Sequence, residues 1–217
     1  MVRGWLGLAI GAAMVVLVGA VYGQLPEEIA THFNDAGEPE LWMGRGPWAF
    51  MAPVVAMGFW LLLRLVAWVG SRIESRREVW ETYWLLGNLL LVFIALLQLH
   101  AVGAVLGWPV DATHLTLAMV GALFVGLGIY LPGVPFGWWL GVRTPWALTS
   151  ERVWRATHEL AGKSFPIGGV ITLGAIAVPA DPRPWVAMVG IVVGGFVPVI
   201  HSFVAARREK AGRVEAG

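Results

Sequence analysis

The 217-residue chain is 58% hydrophobic and 13% charged, with a mean hydropathy of +0.71, where a soluble domain carries roughly 25% charged residues. That balance excludes a soluble globular protein, and the absence of cysteine excludes disulfides, thiol catalysis and cysteine-based zinc sites. A net charge of +1 points to no acidic partner such as nucleic acid, so the placement of charge along the chain carries more than its total.

Behind Arg3, the apolar run Gly4 to Tyr22 is long enough to cross a bilayer and exceeds the roughly 7 to 15 residues of a signal-peptide core, so we read residues 4–22 as a retained span. Residues 23–47 then form an acidic loop, with Glu27, Glu28, Asp35, Glu38 and Glu40 against Arg45. Pro26 suits a first helical position with Glu27 and Glu28 in the first turn, and Asn34 to Gly37 reads as a turn. His32, Asn34, Asp35, Glu38 and Glu40 form either an oxygen-rich ligand site or a folded cap over the bundle. Their spacing meets no calcium or zinc rule, so no metal is assigned.

A second span covers 48–70. Arg64 lies within it, close enough to the inner end to snorkel to the headgroups, with a buried ion pair as the other reading. The connector 71–82 holds Arg72, Arg76 and Arg77, and a third span covers 83–107. Its Gln98 and His100 are two apart and point in different directions on a helix, so each reads as glue between helices, as does His201 in the last span. A fourth span, 115–131, ends at Pro132.

Residues 132–163 are the longest polar interruption with ordered chemistry. Pro145 keeps Val142 to Trp146 out of a helix. Thr149 or Ser150 then caps a short helix with Glu151 in its first turn, and Gly162 offers a left-handed stop. Val153, Ala156, Thr157 and Leu160 form one side of that helix. Arg152, Arg155 and Glu159 take the other, and Glu151 can pair with Arg155 one turn on. At roughly eleven residues it is too short to span, so it is expected to lie in the interface among Trp138, Trp139, Trp146 and Trp154. Fifth and sixth spans follow at 164–180 and 185–205, joined by the tight turn Asp181 to Pro184. Both are rich in glycine, which lets neighbouring backbones approach.

Six crossings from a cytoplasmic start place Arg3, Arg72, Arg76, Arg77, Arg143, Arg152, Arg155, Lys163, Arg207, Arg208, Lys210 and Arg213 inside. Only Arg45 and Arg183 fall outside, and Arg64 lies within a span. This asymmetry is what the positive-inside rule requires, so both termini are expected in the cytoplasm, with the acidic loop outside and the 132–163 loop inside. The expected architecture is all-α: one polytopic transmembrane bundle of six spans over residues 1–217, with an outer acidic loop and a short cytoplasmic interfacial helix.

No HExxH, Walker loop, GxSxG or dinucleotide glycine fingerprint occurs. Ser150 and His158 lie two turns apart on one helix, beyond hydrogen-bond reach. The spans hold no carboxylate, which argues against acid–base catalysis and proton-coupled transport alike. We therefore expect no enzyme and no cofactor. Arg143 and Thr144, with Arg152 and Arg155, either clamp a phosphate or anchor the loop to anionic lipid.

The string Gly141 to Leu148 (GVRTPWAL), followed by Val153-Trp154 and Thr157-His158, resembles the signature of the SdpI family of bacterial membrane proteins. Leu25 to Glu40 (LPEEIATHFNDAGEPE) is similar to the segment that follows the first span in that family. Three positions depart from its pattern: Ile129 and Gly137 stand where, or near where, relatives carry Asn, and Glu40 where Asp is more usual. The resemblance implies a plasma-membrane protein that gives immunity to a secreted peptide toxin, transduces a signal by holding a soluble repressor at the membrane, or both. It also implies an outer partner site at His32, Asn34, Gly37 and Glu40, and a cytoplasmic one at Arg143, Thr144, Pro145, Trp146, Trp154 and His158. The alternatives are an intramembrane enzyme or a small transporter acting on lipid or peptide.

Overall fold

The structure, a computed structural model, describes residues 2–33 and 38–215. Six helices are long and apolar enough to cross a membrane: α1 (Val2–Val21), α2 (Arg45–Gly70), α3 (Arg77–Val105), α4 (Ala112–Tyr130), α5 (Glu151–Gly174) and α6 (Arg183–Glu215). The chain is an all-α polytopic bundle, with helices α1 to α3 packed together and α5 packed between α4 and α6. The two groups meet where α3 lies against α4.

Polar side chains inside the spans are used to join helices. Trp60 donates its indole N–H to the Gly4 carbonyl at 2.9 Å, Tyr83 its hydroxyl to Leu63 at 3.1 Å, and Gln98 its amide to Ala49 at 3.3 Å. His100 lies 3.3 Å from Thr116 of α4. His201 lies near the opposite end of the bundle, so the two imidazoles do not meet. Between α5 and α6 the backbones themselves touch. A Cβ added at Gly168 would overlap the Gly190 carbonyl and crowd Gly194, so only glycine permits this crossing.

The loop after α1 differs from the helical start expected at Pro26. It is a β-hairpin of β1 (Glu28–Phe33) and β2 (Pro39–Gly44), antiparallel, with Glu28 opposite Gly44 and Phe33 opposite Pro39. The physical reason is the period of the sequence: Ile29, Thr31 and Phe33 alternate with Glu28, Ala30 and His32, and branched and aromatic residues suit a half-buried strand. Ile29 is buried with Leu25, Val18 and Ala49, which seats the hairpin on the bundle. Arg45 fastens its base by donating from its backbone to Glu27 O at 2.7 Å and from its guanidinium to Leu25 O at 3.2 Å. The expected turn at 34–37 lies outside the described residues.

The second difference concerns the short interfacial helix. It is no separate element but the first half of α5, which runs unbroken through Gly162 and Pro166 to Gly174. Its buried residues, Val153, Trp154, Thr157, His158, Ala161, Ser164, Gly168 and Thr172, keep the helical period across the expected break. Gly162 serves packing instead of termination: Pro132 lies so close that a Cβ there would overlap its ring. The fifth span therefore begins at Glu151 and α6 extends to Glu215, ten residues past the boundary expected at Ala205.

Candidate functional site

At one end of the bundle the segment 131–150 folds back over the start of α5. Ser150 caps that helix, its hydroxyl accepting from the Val153 N–H at 3.2 Å, and Glu151 pairs with Arg155 at 3.0 Å. Both contacts follow from local sequence. What the local sequence does not disclose is how the preceding loop is held.

Three fastenings hold it. The first is an aromatic stack in the core. Trp154 and His158, only 2% and 1% exposed, stack with centroids 4.1 Å apart, while Phe136 meets the indole edge-on at 5.6 Å. The Trp154 N–H donates to Val134 O at 3.0 Å. His158 Nδ1 lies 2.9 Å from Trp154 O, which only a ring N–H can satisfy, and Nε2 accepts the Val142 N–H at 3.0 Å. The imidazole is thus neutral, with its proton on Nδ1. Gly141 passes directly over this stack with φ +101°, and a Cβ there would overlap His158 Nε2.

The second fastening is a chain of hydroxyls to α6. Ser202 donates to Val199 O at 2.6 Å, so Thr144, 2.7 Å away, donates to Ser202 and accepts the Ala147 N–H at 2.9 Å. The third lies nearer the tail, where the Ser150 hydroxyl donates to the Glu209 carboxylate at 2.6 Å and Trp146 meets Phe203 edge-on at 5.1 Å. Across the same end, Arg76 donates to Phe136 O at 2.9 Å and pairs with Glu74 at 2.7 Å. That pairing holds the Glu74 carboxyl down to about 2.

The cytoplasmic candidates therefore divide. Trp154 and His158 form the base of the unit and are out of reach of a partner. Arg143, Pro145 and Trp146 are exposed, Thr144 is half-buried, and Arg143 is braced by donating to Trp138 O at 2.8 Å. The indoles Trp146 and Trp154 are not one packed unit: the first leans on α6, the second on Phe136 and His158. A groove of about 690 Å³ opens between α5 and α6, lined by Arg152, His201, Arg208 and Glu209. His201 Nδ1 is buried there without a hydrogen-bond partner among the described residues.

At the other end, His32 and Glu40 are exposed on β1 and β2, while Asn34 and Gly37 lie outside the described residues. A cleft of about 620 Å³ runs beneath the hairpin to the ends of α2 and α3, lined by Ile29, Met43, Trp48, Met51, Ala104 and Val105, with Glu28 among its lining residues. Leu41 and Trp42 stand exposed above it, at 51% and 54%.

A profile of the SdpI/YfhL protein family matches residues 134–202, which hold the loop from Val134 and the first two fastenings; Phe203 and Glu209 of the third lie beyond it. Immunity protein SdpI of Bacillus subtilis (strain 168) is 26% identical over 151 residues, spanning 70% of each chain. Both comparisons make the chain similar to the SdpI family. It is a multi-pass protein of the plasma membrane. A second profile, a domain of unknown function (DUF1648), matches residues 9–57, which contain α1 from Ala9 onward, the hairpin and the start of α2. No solved structure matches the chain.

Within this SdpI-like loop, sequence reasoning missed Gly141 as a site residue, although it opens the SdpI-like motif and a glycine ahead of an extended loop is a signal for positive φ. It also missed Ser202 and Glu209. Nothing in their local sequence marks them, because their role exists only once α6 lies beside the loop.

Proposed function

We propose that this chain protects its cell against a secreted peptide toxin and reports the encounter by recruiting a soluble regulator to its cytoplasmic face. The observation that carries the reading is the outer cleft, which is apolar along its length and bordered by Glu28, with Glu27, Glu38 and Glu40 on the same hairpin. Such a site favours a hydrophobic peptide carrying positive charge, since burial supplies affinity and complementary charge supplies selection. The similarity to an immunity protein of Bacillus subtilis supports the same reading.

On the inner face, Arg143, Pro145 and Trp146 are exposed, and Trp146 shares a groove with Arg207 and Lys210 of α6, which offers a regulator an aromatic anchor within a basic rim. An enzyme or transporter would use polar groups within the spans. Of the buried hydroxyls there, Tyr83 and Ser164 join helices and Thr157 and Thr172 bond carbonyls of their own helix, which favours recognition over chemistry.

The test is survival of a toxin-sensitive bacterium lacking its own immunity protein, challenged with supernatant from a toxin-producing strain. Expression of the chain should restore growth, and Met43→Glu, which sets a carboxylate inside the cleft, should reduce that protection at equal protein level. Growth no better than the empty vector would refute the immunity reading. Recruitment is tested separately by comparing soluble proteins retained by wild type and Trp146→Ala in nanodiscs, and identical sets would refute the regulator reading.

A further inference from the structure

Arg64 stands six residues before the end of α2 and, among the described residues, forms neither an ion pair nor a hydrogen bond. The side chain is exposed and reaches the first turn of α1. It turns sideways onto α1, where its guanidinium lies 5.3 Å from the Trp5 ring centroid and 5.9 Å from that of Trp60. An ideal Cβ at Gly4 would stand only 3.3 Å from Arg64 Nη1, so the small residue makes room for the charge. The bond from Trp60 to Gly4 O fixes the two helices on either side.

The guanidinium faces a cleft of about 480 Å³ lined by Trp5, Arg64, Trp68, Ser71, Trp80 and Trp84. At the α2 end of this cleft Arg72 is stacked on Trp68 at 3.5 Å, so a second cation borders it. The ring faces hold the cation in place but satisfy none of its five N–H donors. A charge left this way inside an apolar span is costly, and it calls for an anion.

The geometry points to this cleft as a binding site for one anionic glycerophospholipid of the inner leaflet, its phosphate received by Arg64 and its upper acyl chain lying along the indoles. A phosphate diester matches the guanidinium fork with two parallel N–H···O bonds. It is also the anion a bilayer itself supplies within reach of a side chain about 9 Å inside the helix end. The exposed arginines of α6 lack this setting, having no cleft of indoles around them.

The experiment is native mass spectrometry of the full chain released from nanodiscs containing equal phosphatidylglycerol and phosphatidylcholine. Wild type should retain one phosphatidylglycerol in preference to phosphatidylcholine. Arg64→Gln should lower that retention about ten-fold, the scale of one lost charge-assisted contact, whereas Arg77→Gln on the same face, an exposed arginine paired with Glu81, should leave it unchanged. Arg64→Lys keeps the charge without the planar fork and should fall between, which covers failure of the glutamine variant to fold. Equal retention of both lipids by wild type would overturn the proposal without any variant. So would loss of the lipid on adding inorganic phosphate, which would mark a free-anion site, or equal losses in Arg64→Gln and Arg77→Gln, which would mark general surface charge.

Discussion

The backbone N–H of Val142 donates to Nε2 of His158 at 3.0 Å, so a residue of the membrane-surface loop is tied to a ring buried in the helix core. The contact turns a family motif read along the sequence as two strings into one object. It also means that His158 acts on the loop's shape, whatever partner the loop meets.

His158→Ala should destabilise the protein. It leaves the Val142 N–H unsatisfied, worth about 1–3 kcal/mol, and removes the ring under Trp154, whose cavity adds to the loss. A detergent thermal melt should show a clear fall in midpoint, with Glu159→Ala one position along on the exposed face close to wild type. Equal midpoints for the two variants would contradict the buried role.

Gly141→Ala meets two obstacles at once, a left-handed φ and an occupied space over His158. The expected cost is at least about 1–2 kcal/mol. Gly133→Ala, in the same loop with nothing within 4 Å of an added Cβ, should be nearly neutral. The pair of melts separates a specific glycine requirement from general loop sensitivity.

Thr144 and Ser202 should couple. In a double-mutant cycle with Thr144→Val and Ser202→Ala, the interaction energy is expected at about 0.5–1.5 kcal/mol, the worth of a neutral hydrogen bond. Additive effects would show that the loop is held to α6 by packing alone.

The Glu74 carboxyl is held down to about 2 by Arg76, a depressed folded value. Its contribution is therefore complete above the ordinary carboxylate value of 4.5 and is lost as pH falls through about 2. Carbon-detected NMR of the glutamate side chains should show one carboxyl still ionised when the exposed ones have titrated. Arg76→Gln should return it to the ordinary range.

Orientation is open to direct labelling because the chain has no native cysteine. From the basic asymmetry, Glu40→Cys on the hairpin should react with a membrane-impermeant reagent in intact cells, and Glu159→Cys should not. The reverse pattern would invert both faces and the functional proposal with them.

Hydropathy alone determined the number of spans, because a bilayer demands about 20 apolar residues per crossing and the composition supplies six such stretches. The cap at Ser150, the pair Glu151–Arg155 and the packing role of glycine in α5 and α6 were equally legible, since each depends on neighbours within a turn or on residue size. The hairpin was within reach of its period-2 pattern, which the proline and glutamates at its start obscured. Only the tertiary structure decided that α5 continues through Gly162, that Trp154 and His158 are core and not surface, and that Ser202 and Glu209 belong to the loop's site. An amphipathic segment ending in glycine reads alike whether it lies on a membrane or stands in a bundle. The difference is made by Val134 and Val142, whose backbone groups partner the ring nitrogens of Trp154 and His158 from outside the helix.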